Sequence, residues 1–318
     1  GGHLVPDVLP FCGTGRGTLI KQFNHWAGNR LYIRTGERKM RFTKMQGCGN
    51  DYIYINCFKE DVQEPERLAV AMSERHFGVG ADGLVLILPS ETGDFRMRMF
   101  NLDGSEGEMC GNAVRCIGKY VYERGMAQST HIALETAGGM KFLELHVKDG
   151  IVETVTVDMG VPVLEAEQIP VKSGKHPVIG ERLRILDRDF DFTCVSMGNP
   201  HGVVFVERVS EFPVEEYGRA AECHPIFPKK ANIEFVEKID PEHIRMRVWE
   251  RGSGETLACG TGASAAAVAA VLNGYCGRTV DVLLKGGTLR IEWREEDGHV
   301  YMTGPAAFSF DGVWLGER

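Results

Sequence analysis

Two cysteines, each followed by glycine and then by a helical pattern, are the residues in this chain best suited to chemistry. Cys110-Gly111 precedes a helix-like stretch over roughly 113–124 that stops at Gly125. Cys259-Gly260 precedes one over roughly 262–273 that stops at Gly274. Unpaired backbone N–H groups at a helix start create positive potential. That potential favours a thiolate and draws a cysteine below its ordinary pKa of about 8.5. The glycines let a ligand approach the backbone, and the same N–H groups can hold a carboxylate. Two such thiols on opposite faces of one carbon could take a proton from one side and return a proton to the other. Amides aimed at a carboxylate that gathers charge during this step are typically worth several kcal/mol. One sulfur must be thiolate and the other thiol, with the roles exchanged in reverse.

Either Cys-Gly alone would read as structural. Their relation within the chain argues otherwise. Gly49-Asn50 matches Gly198-Asn199, Arg96-Met-Arg-Met-Phe-Asn101 matches Arg245-Met-Arg-Val-Trp-Glu250, Cys110-Gly111 matches Cys259-Gly260, and Gly125 matches Gly274, all at one offset of 149 residues. Matches in one register point to a duplicated domain. Strand-like runs follow each Gly-Asn pair (Tyr52–Ile55 and Val203–Val206), and the Arg96 and Arg245 segments alternate polar and apolar. Each then passes through a glycine-rich loop to Cys-Gly and a helix. The second helix is rich in alanine, which suits burial on every side. The fold expected is α+β: two pseudo-symmetric domains from an internal duplication, each a curved mixed β-sheet or barrel around a central helix. The first domain would span 40–157 plus 306–318, the second 158–305, with a ligand at the seam. Cys12-Gly-Thr-Gly15 copies Cys259-Gly-Thr-Gly262 but lies outside the register, with no helical pattern after it, and is assigned no function.

Composition narrows the classes. The chain has 318 residues, enough for two domains, and a net charge of −8, which argues against a nucleic-acid partner. No apolar run approaches the length of a membrane span. Nine cysteines without a CxxC pair read as reduced thiols in a cytoplasmic protein, not as a zinc site. Residues 1–39 carry six Lys/Arg against two Asp/Glu, a net +4, leaving −12 for the rest. They have no continuous apolar segment and no serine, so neither a secretory nor a transit peptide is indicated. They read as an N-terminal extension, non-native or poorly ordered, with Met40 as the natural start.

The chain resembles the diaminopimelate epimerase family over nearly all of 40–318. The matching segments are Lys44–Tyr52, Gly78–Gly83, Phe100–Asn112, Gly198–His201, Ala231-Asn232, Trp249–Gly252, Ala258–Ala263 and Gly304–Ala306. The resemblance implies epimerisation of LL-2,6-diaminopimelate to the meso isomer, in lysine and peptidoglycan precursor biosynthesis, with neither pyridoxal phosphate nor any other cofactor or metal. Cys110 would be the base toward the LL substrate and Cys259 the proton donor, with His201 and Glu250 assisting proton movement. Glu250 stands nine residues before Cys259, as Asn101 does before Cys110. Arg251 resembles the residue that pairs with the distal carboxylate, a role that suits a planar guanidinium. Asn50, Asn101, Asn112, Asn199, Asn232, Gly111, Gly260 and Thr261 resemble the remaining wall of the substrate site. The implied partner is a small amino acid, with no nucleic acid or membrane; a homodimer is compatible.

Three positions depart from the family pattern: Gly83 where some members have glutamine, Ala113 where many have glycine, and Tyr52 in place of phenylalanine, whose hydroxyl needs a partner. Alternatives are a racemase for proline, hydroxyproline or histidine, an isomerase of the phenazine type, and a non-catalytic amino-acid-binding module. Asn112 stands where proline racemase-like chains tend to carry histidine. A phenazine-type isomerase would lack the cysteine pair.

Overall fold

The computed structural model describes residues 39–316, so the expectations for residues 1–38 lie outside the described residues. Repetition at the offset of 149 organises everything within them. The first half runs β1 (Met40–Gly47), β2 (Asn50–Asn56), α1 (Pro65–Ser73), β3 (Gly83–Leu88), β4 (Phe95–Asn101), β5 (Glu106–Gly107), α2 (Gly111–Glu123), β6 (His131–Thr136), β7 (Gly139–Lys148) and β8 (Ile151–Gly160). The second runs β9 (Glu181–Ile185), β10 (Arg188–Ser196), β11 (Pro200–Phe205), α3 (Val214–Glu222), β12 (Asn232–Asp240), β13 (His243–Glu250), β14 (Gly254–Thr256), α4 (Gly260–Leu272), β15 (Thr279–Leu284), β16 (Gly287–Trp293) and β17 (Val300–Pro305). A last strand, β18 (Ala307–Trp314), returns to pair with β1. Helices α1 and α3 have the same length, as do α2 and α4.

Registers repeat as well. Tyr52 faces Gly83 in the parallel β2–β3 ladder, and His201 faces Asn232 in the parallel β11–β12 ladder. β4 pairs in parallel with β6, and β13 with β15, the crossovers running through α2 and α4. Antiparallel pairing of β8 with β17 joins the halves, so all eighteen strands belong to one continuous sheet. This is the duplicated α+β architecture expected from the sequence.

Alternation along the strands assigns their faces. Tyr52, Tyr54, Val85 and Ile87 turn inward to a core shared with α2 and α4. Ile53, Ile55, Leu84 and Leu86 turn outward beneath α1. The second half repeats the scheme, with Ile233 and Phe235 in an outer cluster with α3 residues Val214 and Tyr217. α2 is buried from Gly111 through Val121, and α4 from Gly262 through Ala270. The alanine-rich helix is thus enclosed on every side, as its composition requires.

Both central helices begin two residues earlier than the apolar pattern indicates, because Gly111-Asn112 and Gly260-Thr261 already take helical conformation. Their ends fall where glycine predicts. Gly125 (φ +67°) donates to Tyr122 O and Met126 to Val121 O; Gly274 (φ +68°) donates to Val271 O and Tyr275 to Ala270 O. This paired bonding satisfies carbonyls that the helix leaves open. Where the halves meet, Gly286 packs so closely on the Cys48 loop that an added Cβ would lie 1.8 Å from Cys48 O.

These two glycines should respond differently to Ala. Gly274 has open space around it, so Gly274→Ala carries only the left-handed backbone cost of about 1–2 kcal/mol. Gly286→Ala forces the halves apart and should cost more than about 3 kcal/mol. Urea denaturation of both variants measures the difference; equal losses would contradict the close approach.

Candidate active site

Cys110 and Cys259 are the N-cap residues of α2 and α4, with nearly equal backbone angles (φ −133°, ψ 117° and φ −128°, ψ 114°). Each carbonyl accepts the first intrahelical bond, from Val114 N and Ala263 N, both at 2.9 Å. The extended cap conformation leaves each thiol beside the amides that open its helix. Neither sulfur makes a capping hydrogen bond, but the amides of Asn112 and Ala113 favour ionisation of Cys110, and that of Gly262 favours ionisation of Cys259. The two helix starts abut: a Cβ on Gly260 would lie 3.8 Å from Gly111 Cα. Met302 on β17 packs under both, its Cε 2.8 Å from a Cβ built on Gly111 and its Sδ 3.0 Å from one on Gly260. Two positive helix ends therefore converge on one place.

Around Cys110 the contacts are amides and hydroxyls. Its Sγ donates to Asn50 Oδ1 at 3.3 Å, and the same oxygen receives Asn112 Nδ2 at 3.3 Å. Asn50 Nδ2 donates to Asp82 Oδ2 at 2.7 Å, which fixes the amide's orientation. Asn112 also reaches across the seam to Ala258 O at 3.4 Å. The Tyr52 hydroxyl lies beside Cys110 and Asn50, and its pKa is raised well above the ordinary value, first by burial. Gly83 is explained by a close backbone approach: a Cβ there would lie 2.1 Å from Phe100 O, and 2.8 Å from Tyr52 Cε1. Burial pushes the Cys110 thiol up, while the α2 amides and Arg115 pull it down.

Carboxylates gather around Cys259. Thr261 Oγ1 lies 3.5 Å from its sulfur, and the Glu250 carboxyl stands nearby. Thr256 Oγ1 donates to Glu250 Oε1 at 2.5 Å. Burial drives the Cys259 thiol well above its ordinary value, and Glu250 and Glu234 add to the rise. The Glu250 carboxyl is raised too, first by burial, against which the Thr256 hydroxyl acts as a donor. His201 is fully buried on β11, with Nδ1 2.7 Å from Glu234 Oε1 and Nε2 2.9 Å from Asn199 Oδ1. Asn199 Nδ2 reaches Thr261 Oγ1 at 3.4 Å. Asn232 donates to Pro200 O and accepts from Arg251 N at 2.8 Å.

Most of the residues picked out in the sequence thus form one connected set: Cys110, Gly111, Asn112 and Asn50 on one side, and Cys259, Gly260, Thr261, Glu250, His201, Asn199 and Asn232 on the other. Two have local partners instead. Asn101 bonds to Ser105 Oγ at 3.0 Å within its turn. The exposed Arg251 guanidinium donates to Lys229 O at 3.1 Å. Sequence reasoning missed Glu234, Arg115 and Thr256. Glu234 was within reach of pattern alone, since it lies two positions beyond Asn232 and therefore on the same inward face. A cavity of about 510 Å³ lined by Pro213, Glu216, Arg219 and Arg247 holds none of the candidate residues.

Two repeated half-sheets, each presenting a cysteine at the start of its central helix, make up a duplicated α+β fold. A hydroxyproline epimerase from Agrobacterium vitis shares this fold at TM-score 0.63 and 16% identity, over 87% of this chain and 91% of that one. A phenazine biosynthesis protein of the PhzF family from Bacillus anthracis does so at TM-score 0.63 and 19% identity, over 87% and 99%. The family model for diaminopimelate epimerase matches residues 42–165 and 193–309, one segment in each half. A diaminopimelate epimerase of Methanococcus maripaludis strain C5 is 57% identical over 273 residues, covering 86% of this chain and 99% of the relative. One from Acetivibrio thermocellus is 59% identical over 273 residues, covering 86% and 98%. The chain belongs to the diaminopimelate epimerase family.

Thr256→Val tests the Glu250 environment. The lost donor favoured the charged carboxylate, so its removal should let Glu250 hold its proton to higher pH. The acid limb of the pH–rate profile should move up by about one unit, the loss of one charge-assisted hydrogen bond. An unmoved limb would separate Glu250 from the titration that limits the rate.

Proposed function

We propose that the protein interconverts LL- and meso-2,6-diaminopimelate through two thiols, without a cofactor. The observation that carries this reading is the abutment of Gly111 and Gly260, which brings two cysteine-capped helix starts to one site. The substrate carboxylate sits against the amides that open α2 and α4. The Cys110 thiolate removes the α-proton of the LL isomer, and the electron pair left on carbon spreads into the carboxylate as an aci-carboxylate. The helix-start amides stabilise that charge as it forms. Cys259, protonated, delivers a proton to the opposite face and becomes the thiolate. The environment of Cys259 suits a donor, because burial and two carboxylates oppose loss of its proton.

Neutral amides fit the rest of a zwitterion, with oxygens for the ammonium and nitrogens for the carboxylate. His201, held between Glu234 and Asn199, and Glu250, bonded to Thr256, move protons to and from the thiols. Arg251 takes the distal carboxylate, its guanidinium having only Lys229 O as a partner among the described residues. The return of β18 to β1 supports grouping 306–318 with 40–157, and 158–305 as the other domain. No helix among the described residues is long and apolar enough to cross a membrane.

In deuterated water, LL-diaminopimelate should gain one deuterium at the inverted α-carbon and form the meso isomer, read by mass spectrometry and chiral chromatography. Cys110→Ala and Cys259→Ala should each lower turnover at least a thousandfold while the circular dichroism spectrum stays unchanged. Exchange on proline instead of diaminopimelate would favour the racemase alternative; full activity in either variant would end the two-thiol scheme.

A further inference from the structure

The halves repeat in backbone but not in charge. Arg115 occupies on α2 the place that Ser264 occupies on α4, and Glu234 occupies on β12 the place that Val85 occupies on β3, each pair 149 residues apart. Both charged residues are fully buried, and both face the catalytic seam.

Arg115 has only neutral partners among the described residues. It donates to Asn112 Oδ1 at 2.8 Å, to Gly111 O at 3.2 Å and to Pro305 O at 3.2 Å, and it lies near Met302 Sδ at 3.7 Å and Cys48 Sγ at 3.8 Å. Its donors are satisfied but its charge is not cancelled. A buried cation in this condition is costly until an anion forms nearby. Through Asn112 it reaches Asn50 Oδ1, where Asn112 Nδ2 competes with the Cys110 S–H for one oxygen and so weakens the bond that favours the protonated thiol. On the other side, one Glu234 oxygen meets His201 Nδ1 while the other, also buried, has no partner among the described residues. A Cβ on Gly262, in the first turn after Cys259, would lie 2.8 Å from Glu234 Oε1, so glycine at this position admits the carboxylate.

We propose that Arg115 and Glu234 make the two thiols unequal at rest, Arg115 making Cys110 the more easily ionised of the two and Glu234 holding Cys259 as the protonated donor. The proposal deepens the two-thiol reading above and rests on it. Both are positioning residues: they act through charge and through Asn112, Asn50 and His201. Other titratable groups face the pair as well: the Asp82 carboxylate lies behind Asn50, and the Cys48 thiol touches Arg115 directly. Glu250 faces both sulfurs and disfavours both thiolates. Tyr52, Tyr54 and Cys116 add neutral neighbours beside Cys110. Thr261 beside Cys259 is neutral as well, and His201 is engaged by Glu234. The pull of Arg115 on Cys110 and the push of Glu234 on Cys259 have the signs this requires.

Iodoacetamide alkylation of the whole protein without substrate, followed residue by residue through peptide mass spectrometry across pH 6–11, tests it. The reading is the pH midpoint for each cysteine, not the absolute rate, so unequal access does not enter. In the unaltered protein Cys110 should have the lower midpoint. Arg115→Met should raise the Cys110 midpoint by about one unit, a tenfold loss of thiolate at fixed pH, and leave Cys259 in place. Arg115→Lys, which keeps the charge, should stay near the original midpoint. Glu234→Gln should lower the Cys259 midpoint. Equal or reversed midpoints in the unaltered protein overturn the proposal, as do equal shifts in the Met and Lys variants, which would indicate packing instead of charge. Should Arg115→Met fail to fold, the unaltered midpoints and Glu234→Gln decide. Equal midpoints with intact epimerisation remove the asymmetry alone; unequal midpoints without epimerisation remove the assigned reaction alone.

Discussion

The meeting of two helix starts at Gly111 and Gly260 is the constraint that the rest of the structure serves. Each helix end carries unpaired amides and partial positive charge, and bringing two together is unfavourable unless an anion sits between them. Duplication supplies the second helix, and the ladder between β8 and β17 keeps the halves in register. Met302 fills the space beneath the two glycines, so the contact is packed. Burying α2 and α4 on nearly every side fixes where their first turns point. The fold thus holds a site of attraction for negative charge and places one sulfur of each half at its edge.

Symmetry of backbone and asymmetry of side chain then divide the work. Equal registers put Tyr52 opposite Gly83 and His201 opposite Asn232. The pairs are chemically different: a phenol beside one thiol, and an imidazole tied to a carboxylate in the other half. A single duplicated frame can therefore present unlike proton affinities to the two faces of one carbon. Burial raises both thiols, so the groups around each of them decide the order.

Much of this was legible in the sequence. One offset disclosed the two halves, and glycine after each apolar run located both helix ends. Alternation identified the inward strands. The helix starts were read two residues late because Gly-Asn and Gly-Thr carry no apolar signal, although Cys110 and Cys259 cap the turns as their neighbours' chemistry demands. Arg115 escaped for a physical reason. A charged residue in a helix reads as solvent-facing until tertiary packing shows otherwise, whereas Glu234 shares the inward face of Asn232 and was open to alternation. Gly83 was visible as a departure, but its cause, the Phe100 carbonyl lying against it, depends on the register of β3 with β4. Asn101 and Arg251 were placed by motif, and their side chains are engaged by Ser105 and Lys229.

Strand β18 sets an unusual order of assembly. In the second half, the strand beside β10 is β9, its immediate predecessor in a tight hairpin. In the first half, the corresponding neighbour of β1 is β18, which is more than two hundred and fifty positions away, with Met40 opposite Trp314. A ribosome delivering this chain from its amino end makes the first half early yet leaves its sheet one strand short until nearly all the remainder has emerged. The half begun first is finished last, and β1 waits through synthesis with one edge unpaired.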